Sequence, residues 1–265
     1  MLELAIQAAK AGAEVLLTYH ENLRHDQVAL KGPNDFVTEA DRESERRVSE
    51  VLRRAFPDHA ITGEEGGASG GSAEYRWIID PLDGTTNFVY GIPFFCVSVG
   101  LAKGDDLVLG VVHDPLRNEL FAAERGRGAT RNGATLRVSD CARLDDALLC
   151  TGFPFKEVGH ADAYVASFAA FLRRSRSIRR CGAAALDLCY VAAGRADGFY
   201  EWGLSPWDIA AGAVILTEAG GRITDFQGED AYMRGDVIAS NTRIHADMLG
   251  IIGSAFAGLL PPHPA

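Results

Sequence analysis

Positive charge is in short supply: 26 lysines and arginines face 36 aspartates and glutamates, for a formal net charge of −10. Phosphate backbones and anionic membrane surfaces are gripped mainly by Lys and Arg, so the deficit argues against a nucleic-acid or membrane-surface binder. Long apolar runs are missing as well. The longest, such as Phe94 to Ala102, fall well short of the roughly 18 residues a membrane span needs. Met1 to Leu17 has no basic start and carries Glu3 and Glu14 within its apolar pattern, which reads as an amphipathic helix and not a targeting signal. Cysteine is sparse. Cys96, Cys141, Cys150, Cys181 and Cys189 lack CxxC spacing and have no nearby histidines, so they read as buried free thiols of a cytoplasmic protein. The seven histidines show no HExxH or HxH spacing, and no Walker loop or Ser/His/Asp arrangement is visible.

What remains is ordinary globular composition, 47% hydrophobic and 23% charged over 265 residues, enough for one large domain or two moderate lobes. Leu4, Ala8, Ala11 and Val15 recur at helical spacing. A second helix is expected from Thr38, where Thr38 and Asp41 match a capping box, until Pro57. Gly66 to Ser72 reads as a surface loop. From Trp77 the pattern changes to closely spaced strands, at 77–79, 94–101, 107–112 and 119–123, with a type I′ hairpin at Asn132-Gly133 between 129–130 and 136–138. An antiparallel sheet is the expectation for this half. Beyond about residue 140, helices at 163–172, 183–193 and 206–219 alternate with a strand at 198–200, which suggests an α/β second half. Ser205 and Pro206 start the last of these helices and Gly220-Gly221 closes it. The expected boundaries are 1–140 and 141–265.

Three segments concentrate carboxylates beside apolar strands or helix starts: Gly63-Glu64-Glu65-Gly66, the run Trp77 to Phe88, and Trp207 to Gly212. In the second, a Trp-Ile-Ile strand ends in Asp80, Pro81 is read as a turn, Asp83 follows, and Gly84 permits close backbone approach. Thr85 and Thr86 then open a helix whose free amides suit an anion. A metal on Asp80 and Asp83 beside a phosphate on Gly84, Thr85 and Thr86 is chemically coherent, and hard oxygen donors suit Mg²⁺. Taken singly, each segment has a plainer reading. Asp-Pro-Leu-Asp-Gly is turn chemistry, Glu64-Glu65 a solvated loop, and Asp41 and Asp208 are ordinary helix-start acids. Their joint occurrence is the signal.

These segments, with Asp35 to Asp41, Gly182-Ala183-Ala184 and Glu218 to Gly221, resemble the inositol monophosphatase family of Mg²⁺-dependent, lithium-sensitive phosphatases, in the same order and over nearly the whole chain. The resemblance implies a layered αβαβα sandwich and a homodimer. It implies that Glu64, Asp80, the Pro81 carbonyl, Asp83 and Asp208 ligate metal, with Glu65 near a further ion: two to three Mg²⁺, for which Mn²⁺ is a substitute. Gly84, Thr85 and Thr86 would cradle phosphate. Thr85, partnered by Asp41 and assisted by Glu64, would orient the attacking water. Gly182, Ala183, Ala184, Glu201 and Asp208 would contact the substrate, and Lys31 would sit in a loop able to close over the site. Two positions depart from the pattern: Pro81 stands where Ile is frequent, and Ala183 where some members have Thr.

The expected reaction is hydrolysis of inositol 1-phosphate or another small polyol phosphate by direct attack of a metal-activated water. Fructose 1,6-bisphosphate, histidinol phosphate, 3′-phosphoadenosine nucleotides and NADP are the alternative substrates. A regulatory, protein-binding role is the alternative of another class.

Overall fold

The computed structural model describes residues 1–20, 28–32, 35–70, 74–155 and 158–260. The chain opens with α1 (Leu2–His20), a hairpin of β1 (Val28–Gly32) and β2 (Asp35–Thr38), and α2 (Glu39–Ala55). Thr38 and Asp41 form the anticipated capping box, and α2 stops just before Pro57. Lys31 belongs to strand β1, not to a loop.

Next come β3 (Ala60–Gly63), β4 (Gly67–Ser69), β5 (Tyr75–Asp83), the one-turn α3 (Thr85–Val89), β6 (Cys96–Lys103), β7 (Asp106–Asp114), β8 (Glu119–Glu124), β9 (Ala129–Arg131) and β10 (Ala134–Thr135). All but α3 form an eight-stranded sheet ordered β10-β9-β8-β7-β6-β5-β3-β4. Every neighbouring pair is antiparallel except β3 and β5. Within the segment expected to be a loop, Gly67–Ser69 is therefore an exposed edge strand, because its backbone groups find partners on β3. Asn132 (φ 49°) and Gly133 (φ 82°) make the expected hairpin, with the returning strand at Ala134–Thr135, earlier than anticipated.

The remainder contains β11 (Leu148–Thr151), α4 (Ala161–Arg174), β12 (Ser177–Arg179), α5 (Ala184–Ala192), β13 (Gly198–Glu201), α6 (Pro206–Glu218), β14 (Arg222–Thr224), β15 (Val237–Ser240) and α7 (His245–Ala255). Its five strands are ordered β12-β11-β13-β15-β14, parallel around β11 and antiparallel around β15.

Five layers result. On one face of the large sheet, α1 and α2 bury Ala8, Leu16, Val48 and Leu52 against Trp77, Val97, Val99 and Val111. Between the sheets lie α5 and α6, where Leu186, Leu188, Ile209 and Leu216 pack with Val112, Phe121 and Phe199. Beyond the small sheet, α4 and α7 supply Phe171, Met248 and Ile252 to a third cluster with Leu149 and Tyr200. Each fully buried side chain of this kind contributes roughly 1.5–3 kcal/mol. The αβαβα layering is the one expected.

The central layer is tight. Gly100 of β6 and Gly110 of β7 are cross-strand partners, and together they make a flat patch under α6. A Cβ on Gly110 would stand 2.3 Å from the Ala211 carbonyl oxygen, and one on Gly100 would stand 2.8 Å from the Ala210 Cβ. On the other side of α6, a Cβ on Gly212 would meet Leu188 at 2.6 Å. Glycine thus sets how deeply α6 is seated.

Candidate active site

The site begins at the end of β5. Pro81 does not turn the chain: β5 runs on to Asp83 through a bulge between the pairs Asp80–Ser98 and Asp83–Cys96. A bulge is where a strand tolerates a residue without an N–H, and here it directs both carboxylates into the interior. The Leu82 amide donates to Asp80 at 3.0 Å. The Pro81 carbonyl accepts the Ser44 hydroxyl at 2.9 Å, which leaves it a second lone pair. Gly84 then takes φ 92°, and a Cβ there would stand 2.9 Å from the Phe94 carbonyl, so the turn into α3 requires glycine.

Helix α2 buttresses this corner. Asp41, Ser44 and Glu45 are buried along one face at helical spacing. One Asp41 oxygen accepts the Thr38 amide at 2.8 Å and the Thr38 hydroxyl at 2.6 Å, and the other lies 3.3 Å from the Thr85 hydroxyl. The Thr85 hydroxyl is also 3.0 Å from the Leu82 carbonyl, so its single proton is committed inward and its lone pairs face the cleft. Glu45 accepts the Glu65 amide at 2.8 Å and the Gly66 amide at 2.7 Å, which fixes the turn that carries Glu64.

The opposite wall comes from the second half of the chain. Asp83 accepts the Ala184 and Ala185 amides at the start of α5, at 3.2 and 2.8 Å. Asp208 occupies the third position of α6 and accepts the Ser205 amide at 2.6 Å, completing a second capping box. Glu201 closes the end of β13, its carboxylate pressed against Gly152, where a Cβ would fall within 2.1 Å.

Asp80, Asp83 and Asp208 each offer an oxygen, and the three lie within 4.8 Å of one another. Burial, with like charge from Glu64, Asp83 and Asp208, pushes Asp80 well above the usual carboxylate range. Burial and Asp208 push Asp83 up to about 7, against the lowering effect of the α5 amides. Glu201 rises to about 8, through burial and Asp208, and Asp41 to about 6, mainly through burial. Carboxylates forced together in this way need a counter-charge. Their all-oxygen donor set, with lone pairs to spare, fits a hard divalent cation.

Glu64, Asp80, Asp83 and Asp208 line one cleft, as do Gly84, Thr85 and Thr86, and Gly182, Ala184 and Glu201. Asp41 lies behind Thr85, and Ala183 is 1% exposed at the N-cap of α5. Glu65 lines a separate groove beside α2. Arg180 of the cleft and several buried residues behind it escape sequence reasoning. Arg180 lines it with its guanidinium over the Phe155 and Phe153 rings at 5.3 and 5.9 Å. Asn87 ties the Phe94 and Cys181 carbonyls together at 2.7 and 2.9 Å. Ser44 and Glu45 had a signal, a polar stripe on an otherwise apolar helix face.

Comparison with known proteins agrees with this geometry. The inositol monophosphatase family model matches residues 1–253. A Nus factor SuhB from Pseudomonas aeruginosa is 47% identical over 258 residues, 95% of each chain. The structure of an inositol monophosphatase from Anabaena (Nostoc) superposes with a TM-score of 0.87 at 40% identity, covering 99% of this chain and 96% of that one. An extragenic suppressor protein suhB from Bartonella henselae gives 0.91 at 40% identity, over 94% and 97%. Family match, fold and carboxylate cleft converge: the chain belongs to the inositol monophosphatase family.

Proposed function

We propose that this protein is a divalent-cation-dependent phosphomonoesterase acting on inositol 1-phosphate or another small polyol phosphate. The observation that carries the reading is the meeting of Asp80, Asp83 and Asp208 within 4.8 Å, beside Gly84, Thr85 and Thr86. Glu64, Asp80, the Pro81 carbonyl, Asp83 and Asp208 would hold the cations, two to three Mg²⁺ with Mn²⁺ as a substitute, and Glu65 would stand near the weakest. The chemistry such ions would supply there is a counter-charge for the clustered carboxylates, Lewis acidity toward a phosphoryl group and a lower pKa for water.

The chain's own groups do the positioning. The glycine-led turn at 84–86 would present backbone amides and the Thr86 hydroxyl to a phosphate. Thr85, its proton directed toward Asp41 and Leu82, accepts a hydrogen bond from the attacking water and aims it. Asp41 and Glu64 are the acceptors through which that proton leaves. Glu201, with Gly182 and Ala184, would face the substrate's hydroxyl-bearing ring, Ala183 would support them from its buried place at the N-cap of α5, and Arg180 lines the same cleft. In this reading residues 1–140 form the lobe with most of the metal ligands, and 141–265 the lobe with the substrate contacts and Asp208. A homodimer and a cytoplasmic setting complete it. The latter agrees with five free cysteines.

The test is a turnover panel with Mg²⁺ titration on inositol 1-phosphate, fructose 1,6-bisphosphate, histidinol phosphate, a 3′-phosphoadenosine nucleotide and NADP. Preference for inositol 1-phosphate is expected. Activity confined to a nucleotide would sink the polyol reading, and full activity in chelator would sink the metal reading. The relatives named Nus factor SuhB support a second, protein-binding role. Asp83→Asn separates the two: hydrolysis lost with the cellular phenotype kept favours the non-enzymatic role.

A further inference from the structure

Outside the cleft, two thiols and a carboxylate meet where β11, the end of β12 and α5 converge. Strands β11 and β12 run parallel with Cys150 opposite Arg179, which returns Cys181 to the Cys150 sulfur. Asp187 sits in the first turn of α5. The two sulfurs and one Asp187 oxygen lie within 4.8 Å of one another. Cys150 is 2% exposed and Asp187 1%, whereas Cys181 is half-buried and opens the cluster to solvent.

The decisive observation is Asp187. Its Oδ1 is buried with no hydrogen-bond partner among the described residues. A buried, orphaned carboxylate oxygen beside two thiols is costly unless something positive occupies the gap. A disulfide between the two cysteines would supply that carboxylate with no donor; a cation would serve both sulfurs and the carboxylate at once.

We propose that Cys150, Cys181 and Asp187 form a binding site for a thiophilic divalent cation of the Zn²⁺ class, separate from the oxygen-lined cleft. Two thiolates and a carboxylate match the preference of such ions for sulfur, and the open side at Cys181 leaves a fourth position to water. On binding near neutral pH, the Cys150 thiol and the Asp187 carboxyl release their protons to solvent, while Cys181 enters largely as the thiolate it already is. The cluster is prepared for this. The hydrogen bond from Cys150, helped by Asp187, Arg179 and Arg117, pulls the Cys181 thiol down to about 6 despite its burial. Burial and the Cys181 charge push Asp187 well up. Occupancy joins β11 to the loop entering α5, whose Ala184 and Ala185 amides hold Asp83.

The experiment uses the reduced full-length chain under anaerobic conditions, with Mg²⁺ in excess and free thiols counted beforehand. Titration with Co²⁺ is expected to raise a thiolate-to-cobalt charge-transfer absorption that saturates at one equivalent and is displaced by Zn²⁺. Co²⁺ held in the cleft by oxygen donors alone produces no such band, and Cys96→Ser, which removes the thiol beside Asp83, keeps the absorption. Cys150→Ser and Cys181→Ser each abolish it, Asp187→Asn weakens Co²⁺ binding by about tenfold or more, and Cys141→Ser keeps it. Zn²⁺ raises the melting temperature of the wild type but not of Cys181→Ser, whose half-exposed position spares the fold. A band that persists in Cys181→Ser, or none in fully reduced wild type, overturns the proposal.

Discussion

Asp208 is carried by a helix whose depth is set by two glycines, so a methyl group on the far side of that helix should act on catalysis. In Gly110→Ala the new Cβ would lie 2.3 Å from the Ala211 carbonyl oxygen and 2.9 Å from the Ala211 Cα. Ordinary contact starts near 3.4 Å, so about 1 Å of separation must be created. The obstacle is helix backbone, which cannot swing aside as a side-chain tip can. Every residue from Ile209 to Leu216 is buried, so α6 has to shift as a body. Overpacking of this kind costs about 1–3 kcal/mol, which lowers the melting temperature of a chain this size by roughly 3–10 °C. The catalytic penalty is larger. Asp208 rides on α6, and a misplacement of about 1 Å can reduce turnover on the order of 10²-fold. Gly100→Ala meets mainly the Ala210 Cβ, at 2.8 Å, and should cost less on both counts. Initial rates on inositol 1-phosphate across a Mg²⁺ titration, with thermal melts of the same samples, read both effects. Wild-type turnover in Gly110→Ala, or a greater loss in Gly100→Ala, would refute the reasoning.

The buried carboxylates make function and metal-free stability opponents. Asp80→Asn should lower turnover by at least about 10²-fold while raising the melting temperature measured in chelator, because one of the mutually repelling charges is gone and the carbonyl oxygen of Asn can still accept the Leu82 amide. A melt in chelator that falls instead would count against the repulsion. The pH response has a definite sign. Asp41, Asp83 and Glu201 titrate in the folded chain at about 6, 7 and 8, above their ordinary values of 3.8, 3.8 and 4.5. Between those limits the folded chain holds protons that the unfolded chain has released, so stability in chelator falls as pH rises from about 4 to about 8. Added Mg²⁺ should recover most of the loss near pH 8, and differential scanning calorimetry at several pH values checks both statements. Finally, Glu45→Ala removes the acceptor for the Glu65 and Gly66 amides and should raise the Mg²⁺ concentration for half-maximal rate by roughly 10–100-fold, with partial rescue by Glu45→Gln. An unchanged Mg²⁺ response would show that the 63–66 turn holds itself.

Local chemistry made much of this legible in advance. The Thr38 and Asp41 cap, the Asn132-Gly133 turn and the Ser205-Pro206 helix start are written in adjacent residues, and all three stand where they were expected. The cleft carboxylates were legible because each sits in a compact motif. Strands β11, β12, β14 and β15 were not. They are three or four residues long, too short to show a period, and only pairing with distant partners makes them strands. Pro81 misled for a related reason: as a turn former it signalled a corner, but β6 on one side holds the chain extended through a bulge. The cysteines were read singly as buried thiols, whereas Cys141 and Cys181 are only half-buried. The pairing of β11 with β12, which sequence spacing does not announce, is what brings Cys150 to Cys181.

The long reach of Asp83 has a consequence for how the molecule is made. Its carboxylate is received by amides at Ala184 and Ala185, about a hundred residues downstream, and its companion Asp208 lies further still. A chain leaving the ribosome can complete the large sheet, Asp80 and Asp83 included, before either counterpart exists. Contacts of such high sequence separation form late, because loop closure must precede any gain from them. The charge conflict is therefore postponed to the final docking of α5 and α6. On the proposed metal reading, that is also the step at which a divalent cation would first find its full set of ligands, so the magnesium level during synthesis should set the yield of finished protein more strongly than its rate of early folding.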